Sequence, residues 1–185
     1  MARMTHKPKK HLMLFSGRSH QALAEAVAAE LDVTLTPTSA YDFANGEIFV
    51  RFEDSVRGAD AFVLQAHTAP INKWIMEQLI MVDALKRASA KRITVVLPFY
   101  GYARQDKKHR GREPISARLI ADLFKTAGAD RLISVDLHTA QIQCFFARPV
   151  GHLFALPLHA DDIQDRLAGE KITVVSPDAG RVRVA

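Results

Sequence analysis

Short apolar runs alternate with longer segments of helical periodicity along most of this 185-residue chain. Apolar runs of about five residues are typical of buried strands, and apolar residues spaced three and four apart are typical of amphipathic helices. Alternation of the two favours a mainly parallel sheet that is covered by helices on both faces. The sequence therefore predicts an α/β fold, in which ligands bind beyond the carboxyl ends of the strands.

The predicted elements follow one another without an internal repeat or a low-complexity linker. The predicted strands are His11–Phe15, Glu47–Glu53, Ala61–Gln65, Ile93–Leu97, Arg131–Val135 and Ile172–Val175. The predicted helices are Ser19–Leu31, Ile71–Ala88, Ile115–Ala127, a short one near Gln141, and Pro157–Leu167. Residues 1–10 are basic but lack the apolar stretch of a signal peptide, so we expect a flexible tail and a cytoplasmic protein.

The composition argues against several classes of protein. With 48% hydrophobic and 24% charged residues, the chain can bury one core of ordinary domain size. The lone Cys144 excludes an intramolecular disulfide framework, and no apolar run approaches the roughly 20 residues of a membrane span. The chain also lacks zinc-type Cys/His pairs and a glycine–aromatic RNA-binding signature. We therefore expect no membrane partner and no nucleic-acid partner, with an RNA-binding module as an alternative because the net charge is +5.

A strongly basic segment lies between the predicted strand Ile93–Leu97 and the predicted helix Ile115–Ala127. From Arg104 to Glu113, five Lys and Arg residues oppose two acids, a net of +3 out of the chain's formal +5. Charge-assisted hydrogen bonds from such residues favour a polyanionic ligand, and phosphate groups are the first candidates. The pair Arg104 and Gln105 could hold an anion and a base or ribose. A solvated basic loop without a ligand is the alternative that charge alone leaves open.

The segment Phe43-Ala44-Asn45-Gly46-Glu47 enters the predicted strand that follows it. Asn-Gly is a strong turn signal, so a hairpin turn explains this segment without a ligand.

Two acidic residues and a histidine follow predicted strands and could hold a cation. Asp136 and His138 lie on the same side of an extended chain, where one could bind a metal and the other orient it. Asp178 follows the last predicted strand and could offer a carboxylate to the same ion. Mg²⁺ favours a few protein oxygens together with substrate phosphates, so it is a better candidate than Zn²⁺. Because the chain has no Walker A pattern, a phosphate site must be built differently.

Several segments in a fixed order resemble those of a known family. They are Phe15–Gly17, Phe43–Glu47, Ser55–Gly58, Tyr102–Asp106, Asp136–Gln143 and Ser176–Asp178. Each segment alone is a weak signal, but the ordered set is highly specific. From about Leu12 to its last residue, the chain resembles ribose-phosphate pyrophosphokinase, also called phosphoribosyl pyrophosphate synthetase.

The resemblance implies a magnesium-dependent transferase of nucleotide biosynthesis. Such an enzyme transfers the β,γ-pyrophosphoryl group of ATP to the anomeric hydroxyl of ribose 5-phosphate, which gives phosphoribosyl pyrophosphate and AMP. By position, the residues on the adenine side of ATP are Phe43, Asn45, Gly46 and Glu47, with Phe43 stacking on the base.

The resemblance also implies the contacts to the rest of the nucleotide and to the metal. Arg104 and Gln105 contact the nucleotide, and His138 and Asp178 hold Mg²⁺. The candidates for a flexible loop that closes over the phosphates are Lys107, Lys108, Arg110 and Arg112. Because the family is oligomeric and usually hexameric, with the Phe43 turn reaching a neighbouring subunit, we expect a homo-oligomer.

The domain organisation follows from the same resemblance. We expect a phosphoribosyltransferase-like α/β domain in residues 11–155 and the incomplete beginning of a second, similar domain in residues 156–185. The chain stops at Ala185 before a further βαβ unit could be completed, which suggests truncation. The family's catalytic lysine and ribose-phosphate loop are expected beyond residue 185, so no catalytic residue is assigned, and this chain alone is expected to be inactive.

Four residues depart from the family pattern. Cys144 and Arg181 stand where Gly is usual, and Ala147 and Gly151 stand where Asp is usual. We expect Cys144 to crowd a tight helix position. These departures support an alternative, a non-catalytic relative that assembles with active subunits and regulates them. A phosphoribosyltransferase would share the fold class but would not account for the adenine-side turn or the Arg-Gln pair.

Overall fold

The computed structural model describes residues 11–176. Its strands are β1 Leu12–Ser16, β2 Thr38–Asp42, β3 Ile48–Phe52, β4 Asp60–Leu64, β5 Arg92–Leu97, β6 Arg131–Val135 and β7 Val150–Leu153. Its helices are α1 Gln21–Glu30, α2 Ile71–Arg87, α3 Ser116–Ala127 and α4 Leu156–Arg166, with a short 3-10 helix at Ala140–Cys144. The helices and strands that were predicted and are present agree with these bounds to within two residues.

The main sheet has five strands in the order β1-β4-β5-β6-β7. Strand β1 pairs parallel with β4, β4 with β5, and β5 with β6. The predicted mainly parallel α/β fold is therefore confirmed. Because β5 and β6 are parallel neighbours, the loops that follow them leave the same edge of the sheet.

The core lies on both faces of this sheet, as the alternation of side chains along each strand requires. Leu14 packs with Ala24 of α1 on one face. The next residue, Phe15, belongs to the larger cluster on the other face, which includes Met81 of α2 and Phe124 of α3. Coverage of both faces by helices is therefore confirmed.

Two strands were missing from the sequence prediction. β2 pairs antiparallel with β3, from Thr38 opposite Phe52 to Asp42 opposite Ile48, and forms a hairpin outside the main sheet. The residues of β2 are only half-buried or exposed, and the sequence of this strand is correspondingly polar. The sequence alone therefore does not identify it as a strand. β7 is short and contains Gly151, which weakens any strand signal.

The predicted strand Ile172–Val175 is wrong. Residues 171–176 have no strand pairing, and the side chains of Ile172, Val174 and Val175 are exposed. A β-branched run forms a strand only when a partner strand accepts its backbone hydrogen bonds, and none of the described residues provides one.

Residues 11–152 and residues 153–176 fall into two compact units. The domain boundary between residues 155 and 156 stays a prediction, as does the beginning of a second domain. The predicted tail at residues 1–10 lies outside the described residues, as do Asp178 and Arg181. Between residues 11 and 176, no helix combines the length and the apolar character that crossing a membrane requires.

Candidate functional site

The basic loop, residues 104–113, follows β5, and its first residues are held against the beginning of α3. Gln105 donates from its backbone N–H to the carbonyl of Tyr102 at 2.9 Å, and its carbonyl accepts from the N–H of Ala117 at 3.1 Å. The hydroxyl of Ser116 donates to Gln105 Oε1. The Gln105 side chain is exposed, and its NH₂ group has no partner between residues 11 and 176. The residue is thus fixed in place with two donors available to a ligand.

Asp106 is buried although it lies within the basic loop, with only 4% of its surface exposed. Its Oδ2 accepts from the hydroxyl of Thr139 and from Nε2 of Gln141, the latter at 2.9 Å. Burial acts to raise the pKa of Asp106, but the hydrogen bonds from Thr139 and Gln141, and then the nearby His138, bring that pKa below its ordinary value. A buried carboxylate therefore ties the basic loop to the segment that follows β6.

The other acid of the basic loop is also engaged within the loop. Glu113 Oε2 accepts from the backbone N–H groups of His109 and Arg110, at 2.7 and 3.0 Å. These bonds, the one from Arg110 first, lower the pKa of Glu113. Neither acid of the loop is therefore part of an ion pair with its cations.

The cations of the basic loop are exposed, and they have no ion-pair partner in the part of the chain that the structure describes. They are Arg104, Lys107, Lys108, Arg110 and Arg112. Because their charge is not neutralised internally, it is available to an anionic ligand.

His67 supports the backbone that leads into the basic loop. It is 1% exposed, and its Nδ1 accepts from the N–H of Gly101 at 3.0 Å, so that Nε2 carries the proton and donates to Gln78 Oε1 at 3.0 Å. Burial lowers the pKa of His67 to about 4, although the bond to Gln78 acts in the opposite direction. The imidazole is therefore held neutral, with its acceptor nitrogen facing the loop backbone.

The β6 loop, residues 136–139, carries the predicted metal ligand His138, which is exposed. Next to it, the N–H of Leu137 donates to His152 Nε2 at 3.0 Å. Gln143 Nε2 lies 3.4 Å from the other ring nitrogen of His152. The backbone that presents His138 is thus fixed by a histidine from β7.

Among the described residues, three of the five non-glycine residues with a positive φ lie in these two loops or just before them. Tyr102 and Arg112 have φ angles of 63° and 67°, and Asp136 has a φ of 45°. Such left-handed conformations are costly for residues other than glycine and persist only where surrounding contacts hold them. The other two, Asp32 and Ser89, follow α1 and α2, so the strain supports a functional site at this edge of the sheet only together with the exposed cations.

The hairpin turn, residues 43–47, joins β2 to β3, so the hairpin that the Asn-Gly pair predicts is confirmed. Phe43 donates its N–H to the carbonyl of Glu47 at 2.8 Å, and Gly46 has a φ of 88° that favours glycine. All five residues of the turn are exposed. The ring of Phe43, 45% exposed, packs edge-on against Tyr41 and Phe49 and is thereby held at the surface.

Ion pairs anchor this hairpin to the loop after β1 and to α2. Asp42 accepts from Arg18 Nη2 at 2.6 Å and from Lys73 Nζ at 2.5 Å. Arg18 Nε also donates to the buried carboxylate of Glu77 at 2.6 Å. The bond from Lys73, and then the one from Arg18, lower the pKa of Asp42.

Gly17 allows the close packing on which this anchor depends. A Cβ atom at Gly17 would lie 2.1 Å from Gln65 Oε1, which no side chain could tolerate. Gln65 is buried, accepts from the N–H of Ser19 at 3.1 Å, and donates to Glu77 Oε1 at 3.0 Å. The glycine after β1 is therefore required by the close approach of a buried amide.

The structure brings some of the predicted site residues together and leaves others apart. The basic loop and the β6 loop meet through Asp106, next to His138. Within residues 11–176, no hydrogen bond or ion pair joins the hairpin turn to the basic loop. The predicted contact of His138 and Asp178 with one ion stays a prediction, because Asp178 lies outside the described residues.

Sequence reasoning missed the roles of Asp106, Thr139 and His67. The partners of Asp106 are 33 and 35 residues away, so their contact has no local signal. The one available hint was a single acid directly after the Arg-Gln pair, in a segment that otherwise attracts anions.

Comparison with known proteins identifies the family. Residues 12–128 match the family described as the N-terminal domain of ribose phosphate pyrophosphokinase, and this match covers more than half of the chain. The chain belongs to the ribose-phosphate pyrophosphokinase family. The resemblance inferred from the ordered segments is therefore confirmed.

Individual members of the ribose-phosphate pyrophosphokinase family are very similar to this chain. The enzyme of Streptomyces coelicolor is 71% identical over 177 residues, which cover 96% of this chain and 55% of that protein. The enzyme of Corynebacterium glutamicum is also 71% identical, with 54% of its length covered. A crystal structure of phosphoribosylpyrophosphate synthetase from Mycobacterium smegmatis aligns with a TM-score of 0.92 and 70% identity, over 95% of this chain and 59% of that one. The chain thus spans about half the length of the curated relatives it matches.

The departures from the family pattern do not disturb the described packing. Cys144 is exposed, so the prediction that it crowds its helix is wrong. The buried residue of that 3-10 helix is Ile142, two positions earlier and hence on another side of the helix. Ala147 is exposed, and a Cβ atom at Gly151 would make only an ordinary contact, 3.4 Å from a side-chain atom of Ile133.

The described residues do not build a metal cage by themselves. Residues 11–176 contain no group of three or more His, Cys, Asp or Glu side chains that could hold an ion. Mg²⁺ commonly keeps several waters and takes substrate phosphates as ligands, so it needs few protein ligands. His138 is exposed, and its segment is joined to the cationic loop through Asp106. This arrangement fits Mg²⁺ that enters on the phosphates of a nucleotide.

Proposed function

We propose that the complete gene product transfers the pyrophosphoryl group of ATP to ribose 5-phosphate and forms phosphoribosyl pyrophosphate and AMP. One structural observation supports this most strongly: five exposed cations without ion-pair partners among residues 11–176 lie on a loop whose base is tied to the His138 segment. Family membership supports this reaction, and the exposed cations of the loop support a polyphosphate ligand.

In this proposal Arg104 and Gln105 contact the nucleotide. The Gln105 backbone is fixed by Tyr102 and Ala117, so its free NH₂ group is presented in a defined direction. Lys107, Lys108, Arg110 and Arg112 close over the phosphates, because they lie on the exposed part of the loop beyond the buried Asp106.

His138, together with Asp178, contacts Mg²⁺ bound to the nucleotide. Mg²⁺ neutralises phosphate charge and orients the transferred group, and the loop cations stabilise the charge that develops as AMP leaves. Phosphoryl-type transfer depends mainly on such positioning and neutralisation, which an exposed cationic loop with a fixed base can provide.

The hairpin turn serves a second copy of the chain in this proposal. Its residues Phe43, Asn45, Gly46 and Glu47 are exposed, and no hydrogen bond or ion pair within residues 11–176 joins them to the basic loop. An aromatic ring held at the surface can stack on the adenine that a neighbouring copy binds. We therefore propose a homo-oligomer, of six copies by analogy with the family, as the active form.

The test is AMP release by the purified complete gene product with Mg-ATP, measured with and without ribose 5-phosphate. We expect AMP and phosphoribosyl pyrophosphate to form in equal amounts and only when ribose 5-phosphate is present. If the assembled protein binds Mg-ATP but releases no AMP, and instead changes the rate of an active family member in a mixed assembly, the regulatory alternative replaces this proposal. RNA binding that Mg-ATP does not displace would favour the RNA-binding alternative.

A further inference from the structure

Asp106 differs from every other charged residue of the basic loop because its side chain is buried. Only 4% of the residue is exposed, whereas its neighbours Gln105 and Lys107 are exposed. A buried carboxylate is costly unless hydrogen bonds satisfy it. An exposed acid in the middle of a cationic segment could pair with the neighbouring cations without being buried. Asp106 is instead buried and bonded to other residues.

The partners of Asp106 belong to the segment that follows β6. Thr139 is the residue directly after His138, and Gln141 lies in the first turn of the 3-10 helix. Both donate to the same carboxylate oxygen, Oδ2. One oxygen atom thus joins the loop after β5 to the loop after β6.

The residues on each side of this link are those expected to bind Mg-ATP. Arg104 and Gln105 immediately precede Asp106, and Gln105 is also held by Ser116 and Ala117 of α3. His138 immediately precedes Thr139. A movement of either loop relative to the other therefore has to stretch or break the bonds to Oδ2.

We propose that Asp106 is a positioning residue that fixes the distance between the nucleotide contacts Arg104 and Gln105 and the metal contact His138. It does not touch the substrate; it acts through Thr139 and Gln141. This inference rests on the proposed function, since it takes Mg-ATP as the ligand that spans the two loops. Because of this link, the arrangement of the two loops that binds the phosphates is also the arrangement that binds the ion.

The first experiment measures Mg-ATP affinity by calorimetry on the complete gene product, wild type and Asp106→Ala. Removal of outer-shell partners of a metal site typically weakens binding 10- to 100-fold, and we expect a loss of roughly tenfold. The matched control is Asp122→Ala, which removes an exposed carboxylate that pairs with Arg118 on α3. We expect its affinity to equal that of the wild type.

A pair of variants at Thr139 separates positioning from general packing. Thr139→Val keeps the shape of the side chain but removes the hydroxyl donor, and Thr139→Ser keeps the donor. We expect Thr139→Val to weaken Mg-ATP binding and Thr139→Ser to bind like the wild type. The double variant Asp106→Ala with Thr139→Val should bind no more weakly than Asp106→Ala alone, because both changes break the same link.

Hydrogen exchange supplies a readout that loss of stability alone would not produce. In the wild type, Mg-ATP should protect the backbone of residues 104–108 and of residues 137–141 together. In Asp106→Ala, saturating Mg-ATP should protect the first segment with a smaller effect on the second. If Asp106→Ala does not fold, the Thr139 pair carries the same test.

Two results would overturn the inference while leaving the proposed function intact. One is wild-type affinity for Mg-ATP in Asp106→Ala or, if that variant does not fold, in Thr139→Val; the other is equal impairment in Thr139→Val and Thr139→Ser. Failure of the wild-type protein itself to bind Mg-ATP would instead overturn the proposed function, and the inference with it.

Discussion

The basic loop and the hairpin turn are both expected to contact a nucleotide, yet the two are fixed by different interactions. The base of the basic loop is held by hydrogen bonds to two buried side chains, Asp106 and the neutral His67. The hairpin is held by partly exposed ion pairs that converge on Asp42. Salt screens exposed ion pairs, whereas it acts much less on hydrogen bonds to buried groups. Salt and acid should therefore loosen these two regions under different conditions.

The largest expected effect concerns acid and the base of the basic loop. The pKa of His67 is about 4 in the folded protein and about 6.5 when the chain is unfolded, so below pH 6.5 the unfolded state binds a proton that the folded state does not. The stability that the neutral ring contributes is complete above pH 6.5 and is lost as the pH falls toward 4. The full loss is about 3 kcal/mol.

Urea unfolding at several pH values, followed by circular dichroism, measures this loss. The stability of a His67→Gln variant should depend less on pH between 6.5 and 4, because Gln cannot be protonated. His159→Gln changes an exposed histidine of α4 and should keep the wild-type pH dependence. If wild type and His67→Gln had the same pH dependence of stability, protonation of the buried ring would not be the cause of the loss in acid.

The second effect concerns the nucleotide contacts of the basic loop. Arg104→Ala should weaken Mg-ATP binding by roughly 30-fold, because hydrogen bonds to charged groups contribute about 2 kcal/mol. Calorimetry on the complete gene product measures this change. Arg118→Ala, which removes an exposed guanidinium of α3, should bind normally. Equal affinity of Arg104→Ala and wild type would remove Arg104 from the site.

A smaller effect concerns the anchor of the hairpin. Asp42→Asn should speed hydrogen exchange in residues 38–52 and leave residues 104–108 unchanged, because both ion pairs of Asp42 involve the hairpin. In the wild type, 1 M NaCl should act in the same direction by screening. Asp83→Asn removes an exposed ion pair within α2 and serves as the control. Equal effects of Asp42→Asn on both segments would contradict the separation of the two regions.

Acid should also break the ion pairs of Asp42 that anchor the hairpin, but at a lower pH than the one at which it disrupts the His67 contact. The pKa of Asp42 lies below its ordinary value of 3.8, so the contribution of this carboxylate is present above pH 3.8 and is lost as the pH falls further. Between pH 6.5 and 4, acid should therefore weaken the base of the basic loop first.

The smallest effect concerns the tip of the basic loop. Glu113→Gln removes a negative charge beside the exposed cations, while its amide oxygen can still accept from His109 and Arg110. We expect affinity for inorganic pyrophosphate to rise a few-fold and to depend more steeply on salt. Glu25→Gln on α1 is the control for the change in net charge. Unchanged pyrophosphate affinity in Glu113→Gln would mean that the tip does not hold the phosphates.

Much of the fold could be predicted from the sequence, because the strands of the main sheet are short runs of buried apolar residues. The strand Arg131–Val135 was predicted with its observed bounds, and the helix that begins at Ile71 was predicted to within one residue at its end. The polar strand β2 could not be recognised, since its pairing with β3 and not its composition makes it a strand. Conversely, the apolar run Ile172–Val175 has strand composition but no partner among the described residues.

The sequence indicates which residues belong to the candidate site, but it does not indicate the contacts that hold them in place. The excess of cations between Arg104 and Glu113 is visible in the sequence, and the structure shows that these cations are exposed and have no ion-pair partner among residues 11–176. The burial of Asp106 is not visible, because it depends on a hydroxyl that another strand brings close. The neutral state of His67 likewise depends on the backbone of Gly101, which only the fold places beside the ring.

The central claim is that the basic loop and the β6 loop together receive a magnesium-bound nucleotide triphosphate. Calorimetric titration of ATP into the complete, assembled gene product, with and without Mg²⁺, tests it most directly. We expect binding that requires Mg²⁺ and weakens as salt increases, since the proposed contacts join cations of the loop to the phosphates. Absence of magnesium-dependent binding to the properly assembled protein would contradict the account.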